Sequence, residues 1–128
     1  MDPTNVGIFD LAERRMSYLD HRSAVLAENI ANADTPGWKS RDLQPFTAAL
    51  AQAGESGGTP VRTSTLHLAG TSTHDPGLLV LTGERAPDGN GVRLDAELTK
   101  VADTDSAHML VTDLWKTYLG MFRTALGK

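Results

Sequence analysis

The sequence predicts a mainly α protein in which long N- and C-terminal helices form a coiled-coil-type layer, with a small irregular or β element between them. Two observations support this. Of the 18 glycines and prolines in the 128 residues, 14 fall between positions 36 and 91, so both ends are almost free of helix breakers. Both ends also repeat apolar residues at spacings of three and four, as packed helices do. We therefore predict three segments, 1–35, 36–93 and 94–128, of which the outer two are helical.

The first predicted helix covers residues 5–33. Apolar side chains recur along one side of it, once per turn, at Ile8, Ala12, Met16, Leu19, Leu26, Ile30 and Ala33. The end of the helix is marked by Thr35-Pro36, because a proline disfavours the helical conformation in the residue before it, and by Gly37.

The last predicted helix covers residues 95–126, with Asp95 as the expected N-cap. Its stripe runs from Leu94 to Leu126 with the same spacing, but its middle is polar, at Asp105, His108 and Thr112. Two interpretations remain open. The stripe could pack at both ends and set the register at its polar centre, or the packed face could rotate around Asp105.

The middle segment is too long to be a single structureless loop. Within residues 43–53 a short helix is expected after Pro45. Residues 61–68 and 78–82 are rich in apolar and β-branched residues and are bounded by glycine and proline, so they are candidate strands of a small sheet or hairpin. Residues 87–91 form a turn cluster before the last helix.

Composition excludes several classes of function. The absence of cysteine rules out disulfides, thiolate metal sites and cysteine nucleophiles, and the net charge of −4 gives no basic footprint for nucleic acid. The sequence holds no apolar run of about 18 residues that could span a membrane as a helix. Its first residues are acidic where a signal peptide is basic, so no cleaved signal peptide is expected.

No motif in the chain predicts catalysis. Ser56 lies in GESGG, which fits the G-x-S-x-G pattern of hydrolase nucleophiles, but an alanine-rich segment precedes it where a strand is needed. A flexible linker is the better interpretation. The four histidines, at positions 21, 67, 74 and 108, lack metal-ligand spacing. We predict no catalytic residue, no metal site and no cofactor.

Residues 27–42, AENIANADTPGWKSRD, resemble the signature that ends the N-terminal helix in the family of flagellar rod, hook and hook-associated axial proteins. The residues that match A-N-x-x-T-P-G and its following aromatic position are Asn29, Ala31, Asn32, Thr35, Pro36, Gly37 and Trp38. The strings NGVRLD at 90–95 and FRTAL at 122–126 are similar to those of the short proximal rod proteins of this family. The small middle segment argues against members with larger inserted domains.

The resemblance implies a structural subunit rather than an enzyme. Such subunits are exported from the cytoplasm through the flagellar type III export apparatus without a cleaved signal peptide. They polymerise in the periplasmic space into the basal body rod, the proximal part of the drive shaft that carries torque from motor to hook. The implied partners are further copies of the chain, other rod proteins, the export apparatus and the protein at the junction of MS-ring and rod. No nucleic acid and no small-molecule substrate is implied.

In that setting the apolar residues of both helices become candidate packing residues, within and between subunits. They are Ile8, Leu11, Met16, Leu19, Leu26, Ile30, Leu98, Val101, Trp115, Leu119, Phe122 and Leu126. We expect Leu26→Asp or Leu119→Asp to block rod assembly and motility. Three alternatives remain: a sister proximal rod protein, a helical-hairpin adaptor that binds a partner helix in a groove, and a hydrolase that uses Ser56.

Overall fold

The computed structural model describes residues 7–55 and 77–127 as two long helices beside a short helix and a two-stranded sheet. The elements in chain order are α1 (Gly7–Ala31), β1 (Arg41–Leu43), α2 (Phe46–Glu55), β2 (Leu78–Val80) and α3 (Leu94–Ala125). The prediction of a mainly α chain with long terminal helices and a small β element in the middle is confirmed. No helix within the described residues has the length and apolar character needed to cross a membrane.

The two long helices pack antiparallel. At one end the ring of Phe9 lies edge-on to Trp115, with centroids 6.3 Å apart, and 5.7 Å from the ring of Phe122. At the other end the Asn29 amide donates to the Glu97 carboxylate over 2.9 Å. Aromatic rings therefore join the two helices near the start of α1, and polar groups join them near its end.

The buried core lies along α1, between α3 and the short elements of the middle segment. Tyr18, Leu19 and Val25 of α1 cluster with Leu43 of β1, and Phe46, Ala107 and Val111 pack against them. Phe9 and Leu26 are also buried. Removing these large apolar side chains from water is the main favourable term in forming the hairpin.

The sheet is antiparallel and pairs Arg41 with Val80 and Leu43 with Leu78. The predicted strand at 78–82 appears as β2, whereas β1 was not predicted. The predicted strand at 61–68 lies outside the described residues. The short helix expected after Pro45 appears as α2, which begins at Phe46, and the Pro45 carbonyl accepts the Ala48 N–H over 2.9 Å. Leu43, the first residue of the stretch 43–53, belongs to β1.

The start of α3 also differs from the prediction. Asp95 lies inside the first turn, and the capping position is Arg93, whose side chain makes no cap hydrogen bond. The turn closes through the Glu97 N–H, which donates to the Arg93 carbonyl over 2.9 Å. Asp95 still lies where a negative charge favours the N-terminal end of the helix dipole.

The side of α3 that faces α1 passes through Glu97 and Thr104 rather than through Leu98 and Asp105. Thr104 can be buried because its hydroxyl donates to the Lys100 carbonyl one turn earlier, over 2.7 Å. Leu98 and Asp105 are exposed on the outside of the helix. The second of the two interpretations, a packed face that rotates in this region, therefore fits the structure.

Candidate functional site

Five buried polar residues join the end of α1, β1 and the start of α3, and we call this group the polar clasp. Its members are Asn29, Ser40, Asp42, Asn90 and Glu97. Buried polar groups are costly unless they are hydrogen-bonded, so each member identifies a contact that the fold must make.

Asn29 lies at the centre of the clasp. Its amide group donates to the Arg41 carbonyl over 2.6 Å and to the Glu97 carboxylate over 2.9 Å, while its Oδ1 accepts the Arg41 N–H over 3.0 Å. One side chain of α1 thus pairs with the backbone of β1 as a neighbouring strand would, and also holds α3.

Glu97 is the residue of α3 that completes this network. It is 2 % exposed, and its second oxygen accepts the Ser40 hydroxyl over 3.0 Å and the Lys100 ammonium over 2.8 Å. A buried carboxylate needs this number of donors to offset its lost hydration. Glu97 was not among the residues predicted from the sequence. The available signal was a carboxylate four residues before Val101, on the packed side of the predicted helix.

Asn90 holds the loop that follows α1. Its Nδ2 lies 2.6 Å from the carbonyl oxygen of Ala33, 2.8 Å from that of Thr35 and 3.1 Å from that of Asn32. Its Oδ1 accepts the Val92 N–H over 2.7 Å. Asn90 therefore supplies, from a distant part of the chain, a hydrogen-bond donor to the carbonyls of the turn that follows α1.

Arg22 and Asp42 form an ion pair through two hydrogen bonds of 2.9 Å each, from Nε and from an Nη of the guanidinium. Burial raises the pKa of Asp42, but the hydrogen bonds from Arg22 and from the Leu43 N–H outweigh it, so its pKa lies below the ordinary value. The same hydrogen bond raises the pKa of Arg22 against the effect of burial.

The residues of the TPG signature form the turn that leaves α1. The Asn32 amide donates to the Glu28 carbonyl over 2.8 Å, and the Thr35 hydroxyl donates to the Asn32 Oδ1 over 3.1 Å. Gly37 has a φ of +73°, a conformation that side-chain-bearing residues rarely adopt. Its N–H donates to the Asp88 carbonyl over 3.1 Å.

The remaining signature residues flank this turn. Ala31 is the last residue of α1, and Pro36 is exposed. Trp38 is half-buried, its ring lies 5.1 Å from the Arg41 guanidinium, and its indole N–H points to the Asn29 Oδ1 at 3.5 Å. The signature therefore supplies the central residue of the clasp, Asn29, and the turn beside it.

The predicted packing residues divide into two groups by exposure. Buried or half-buried in the hairpin are Met16, Leu19, Leu26, Ile30, Val101, Trp115, Leu119 and Phe122. Exposed, and outside the contact between α1 and α3, are Ile8, Leu11, Leu98 and Leu126. The first group therefore packs within the subunit, and the second remains on its surface.

Apolar surface remains on both flanks of α3. One flank carries Leu110, Leu114 and Met121. The other carries Leu94, Leu98, Asp105 and Met109, which we call the outer stripe; its leucines and methionine are 48 to 67 % exposed. Residues spaced by 4, 7 and 4 positions, as here, lie on one side of a helix.

A groove of about 320 Å³ opens between the start of α1, the start of α2 and the C-terminal half of α3. Its lining includes Ile8, Leu11, Arg15, Phe46, Leu114 and Tyr118, together with Phe9 and Trp115. Arg15 is the one charged lining residue, and its guanidinium lies 4.7 Å from the Phe46 ring centre and 5.4 Å from that of Tyr18.

The groups weighed for catalysis do not come together in the described residues. Ser56, His67 and His74 lie outside them, His21 is exposed, and the His108 Nε2 lies 3.3 Å from the carboxylate of Asp20. Across residues 7–55 and 77–127, no three histidine, aspartate or glutamate side chains are grouped closely enough to hold a metal ion.

A helical hairpin whose first helix ends in the TPG turn is the arrangement expected of a flagellar axial subunit, and comparison with known proteins gives the same class. The family described as flagella basal body rod protein matches residues 9–39, which cover most of α1 and the signature turn. Its match ends at Lys39, next to the clasp residue Ser40.

Relatives that match most of the chain identify the family within this class. The chain is 32 % identical to the flagellar basal body rod protein FlgB of Agrobacterium fabrum over 119 residues, covering 88 % of this chain and 87 % of the relative. For FlgB of Yersinia enterocolitica the identity is 34 % over 123 residues, covering 89 % and 86 %. For FlgB of Salmonella typhimurium it is 33 % over 116 residues, covering 83 % of each chain. The chain belongs to the FlgB family of flagellar basal body rod proteins.

Family membership confirms the resemblance seen in the signature, and these relatives carry the FlgB name rather than that of the sister proximal rod protein FlgC. It also supports a structural rather than an enzymatic role.

Proposed function

We propose that the chain is a structural subunit of the flagellar basal body rod, polymerising through its terminal helices into the proximal part of the drive shaft that transmits torque from motor to hook. Its partners would be further copies of itself and other rod proteins. On the same basis it would be exported from the cytoplasm through the type III export apparatus without a cleaved signal peptide, and would join the rod in the periplasmic space next to the MS-ring junction protein.

The observation that carries this proposal is the apolar surface left on the hairpin. Five side chains spread along α3, Leu98, Met109, Leu110, Leu114 and Met121, are each at least half exposed. Large apolar patches are rare on soluble monomers, and where they occur they mark sites of association. Surface on both flanks of one helix lets a subunit contact two neighbours, as a growing shaft requires.

The polar clasp supports the proposal in a second way. A subunit that transmits torque must hold its helices in one register, and apolar packing alone tolerates sliding. The bonds among Asn29, Ser40 and Glu97 have direction and fixed length, so a shift of one turn would leave buried polar groups without partners. The clasp therefore specifies one hairpin register.

The experiment that tests the proposal uses cells of the source organism that lack this gene. Expression of the chain should restore swimming, and the chain should be found in purified basal bodies. Leu110→Asp, which places a charge on one flank of α3, should abolish both while the purified variant keeps its helical circular dichroism. Val80→Asp on the exposed strand β2 is the matched control and should behave as wild type.

Two results would contradict the proposal. One is swimming without the chain in the basal body. The other is a Leu110→Asp variant that assembles normally. A chain that stays monomeric and binds a foreign helix in its groove would instead point to the adaptor function.

A further inference from the structure

We propose that the groove of one copy receives the outer stripe of α3 from a second copy, with Arg15 of the groove paired to Asp105 of the stripe. The proposal rests on the proposed function as a rod subunit and names the contact through which copies of this chain would join. The occupant is thus a second copy, and the contact is heterologous.

The groove supplies an apolar slot with one positive charge. Its other walls, among them Ile8, Leu11 and Leu114, carry no charge. Arg15 is held against two aromatic rings and forms no ion pair with any described residue. A guanidinium fixed in this way can pair with a carboxylate at small cost in side-chain entropy.

The outer stripe supplies the complementary pattern. Leu94, Leu98 and Met109 are exposed, and Asp105 lies between the last two on the same side of α3. The stripe is about 22 Å long at 1.5 Å per residue. Asp105 forms no ion pair within residues 7–55 and 77–127, so its charge is free for a partner. An apolar face with one central acid matches an apolar slot with one base.

The opposite flank of α3 is a poorer occupant. Leu114 of that flank already lines the groove, so two copies meeting there would face each other around a two-fold axis and close as a dimer. Asp105 lies nine residues from Leu114, about 180° around the helix. Groove and outer stripe thus point in different directions, and each copy keeps one of each free after joining a neighbour. Such contacts extend without closing, which is the geometry of a filament.

A charge exchange tests the pair. Arg15→Glu and Asp105→Arg should each lower the amount of chain in purified basal bodies at least about tenfold, because like charges would meet in a desolvated contact. The double variant restores one opposite pair per contact and should return to within about twofold of wild type. Arg14→Glu and Glu84→Arg are the controls, since both residues are exposed and neither lies in the groove or on α3, and both variants should assemble normally.

Cross-linking provides a second measurement that does not depend on altered charge. The chain has no cysteine, so Leu11→Cys with Leu98→Cys in one chain places one thiol in the groove and one on the stripe. Oxidation of basal bodies carrying this variant should give a ladder of covalent multimers. Val80→Cys with Leu98→Cys should give none.

Wild-type assembly separates the two proposals. If the wild-type chain is absent from the basal body, the rod function itself fails. If it is present, but the single charge variants assemble normally or the Leu11–Leu98 pair gives no ladder, this contact is overturned and the rod function stands. A covalent dimer from Leu11→Cys alone would show a two-fold contact and would also overturn it.

Discussion

At the scale of single residues, the stability of the hairpin depends on a few buried polar side chains whose roles apolar periodicity does not indicate. Asn29 was recognised as part of a sequence signature, and the structure gives the reason for its identity. A side chain at that position must accept one hydrogen bond and donate two, to β1 and to α3. An amide does both, whereas a carboxylate or an alcohol of similar size does not.

Glu97 provides the first test at this scale. Replacement by alanine leaves the Ser40 hydroxyl and one Asn29 N–H without this acceptor, so Glu97→Ala should lower the free energy of unfolding by about 2–3 kcal/mol in urea denaturation. Glu97→Gln should cost less, because its oxygen still accepts from Asn29. Glu84→Ala, at an exposed carboxylate, is the control and should change stability by less than about 0.5 kcal/mol. Equal losses for Glu97→Ala and Glu84→Ala would contradict the assigned role.

The pH dependence of stability provides the second test at this scale. The pKa of Asp42 in the folded chain lies below its value of about 3.9 in the unfolded chain, so the unfolded state takes up the proton first as pH falls. The stabilisation is therefore complete above about pH 4 to 5 and is lost as the pH drops through the folded-state pKa. Urea denaturation from pH 7 to pH 3 should show this loss in the wild type. Asp42→Asn should be less stable at pH 7 and should show a smaller decrease in acid; an unchanged slope would refute the assignment.

At the scale of elements, each long helix uses one side to pack within the subunit and another side to present apolar surface. The side of α1 that holds Leu19 and Leu26 builds the subunit, while Ile8 and Leu11 near its start line the groove. On α3 the packed side runs through Thr104 and Val111, and both flanks remain apolar. Leu26→Asp and Leu119→Asp, which were expected to block assembly, alter residues packed inside the hairpin rather than residues on its free surface. They would therefore act on the folding of the subunit.

Alanine substitution distinguishes residues that pack within the subunit from residues on its apolar surface. Leu26 is fully buried, so Leu26→Ala should lower the free energy of unfolding by about 2–5 kcal/mol through lost burial and the cavity left behind. Leu110 is 61 % exposed, and Leu110→Ala should change the stability of the isolated chain by less than about 0.5 kcal/mol. Thermal or urea unfolding followed by circular dichroism measures both. Similar losses at the two sites would mean that Leu110 belongs to the core of the subunit.

At the scale of the whole molecule, the middle segment contributes to the hairpin as well as connecting its helices. Leu43 and Phe46 join the core cluster, and Asn90 caps the turn after α1. The clasp closes one end of the hairpin and aromatic rings close the other. These contacts fix the two helices relative to each other, as the proposed role in a torque-bearing shaft requires.

Much of this architecture could be predicted because it depends on local rules. The spacing of apolar residues and the scarcity of glycine and proline placed both long helices to within two residues of Gly7–Ala31 and Leu94–Ala125. The end of α1 was equally clear, since Pro36 and Gly37 have backbone preferences that act without any partner. Family membership also followed from the linear signature.

The rest required the packed molecule. Strand β1 has three residues and exists because β2 and Asn29 satisfy its backbone, and no local pattern reports such partners. The choice between Thr104 and Asp105 as the packed residue of α3 turns on a rotation of about 100°, which the antiparallel partner decides. By itself, then, the sequence determined the helices, the turn between α1 and β1 and the family. Only the tertiary structure decided the polar clasp and which apolar residues remain free for a neighbour, because burial and long-range hydrogen bonds are properties of packed elements.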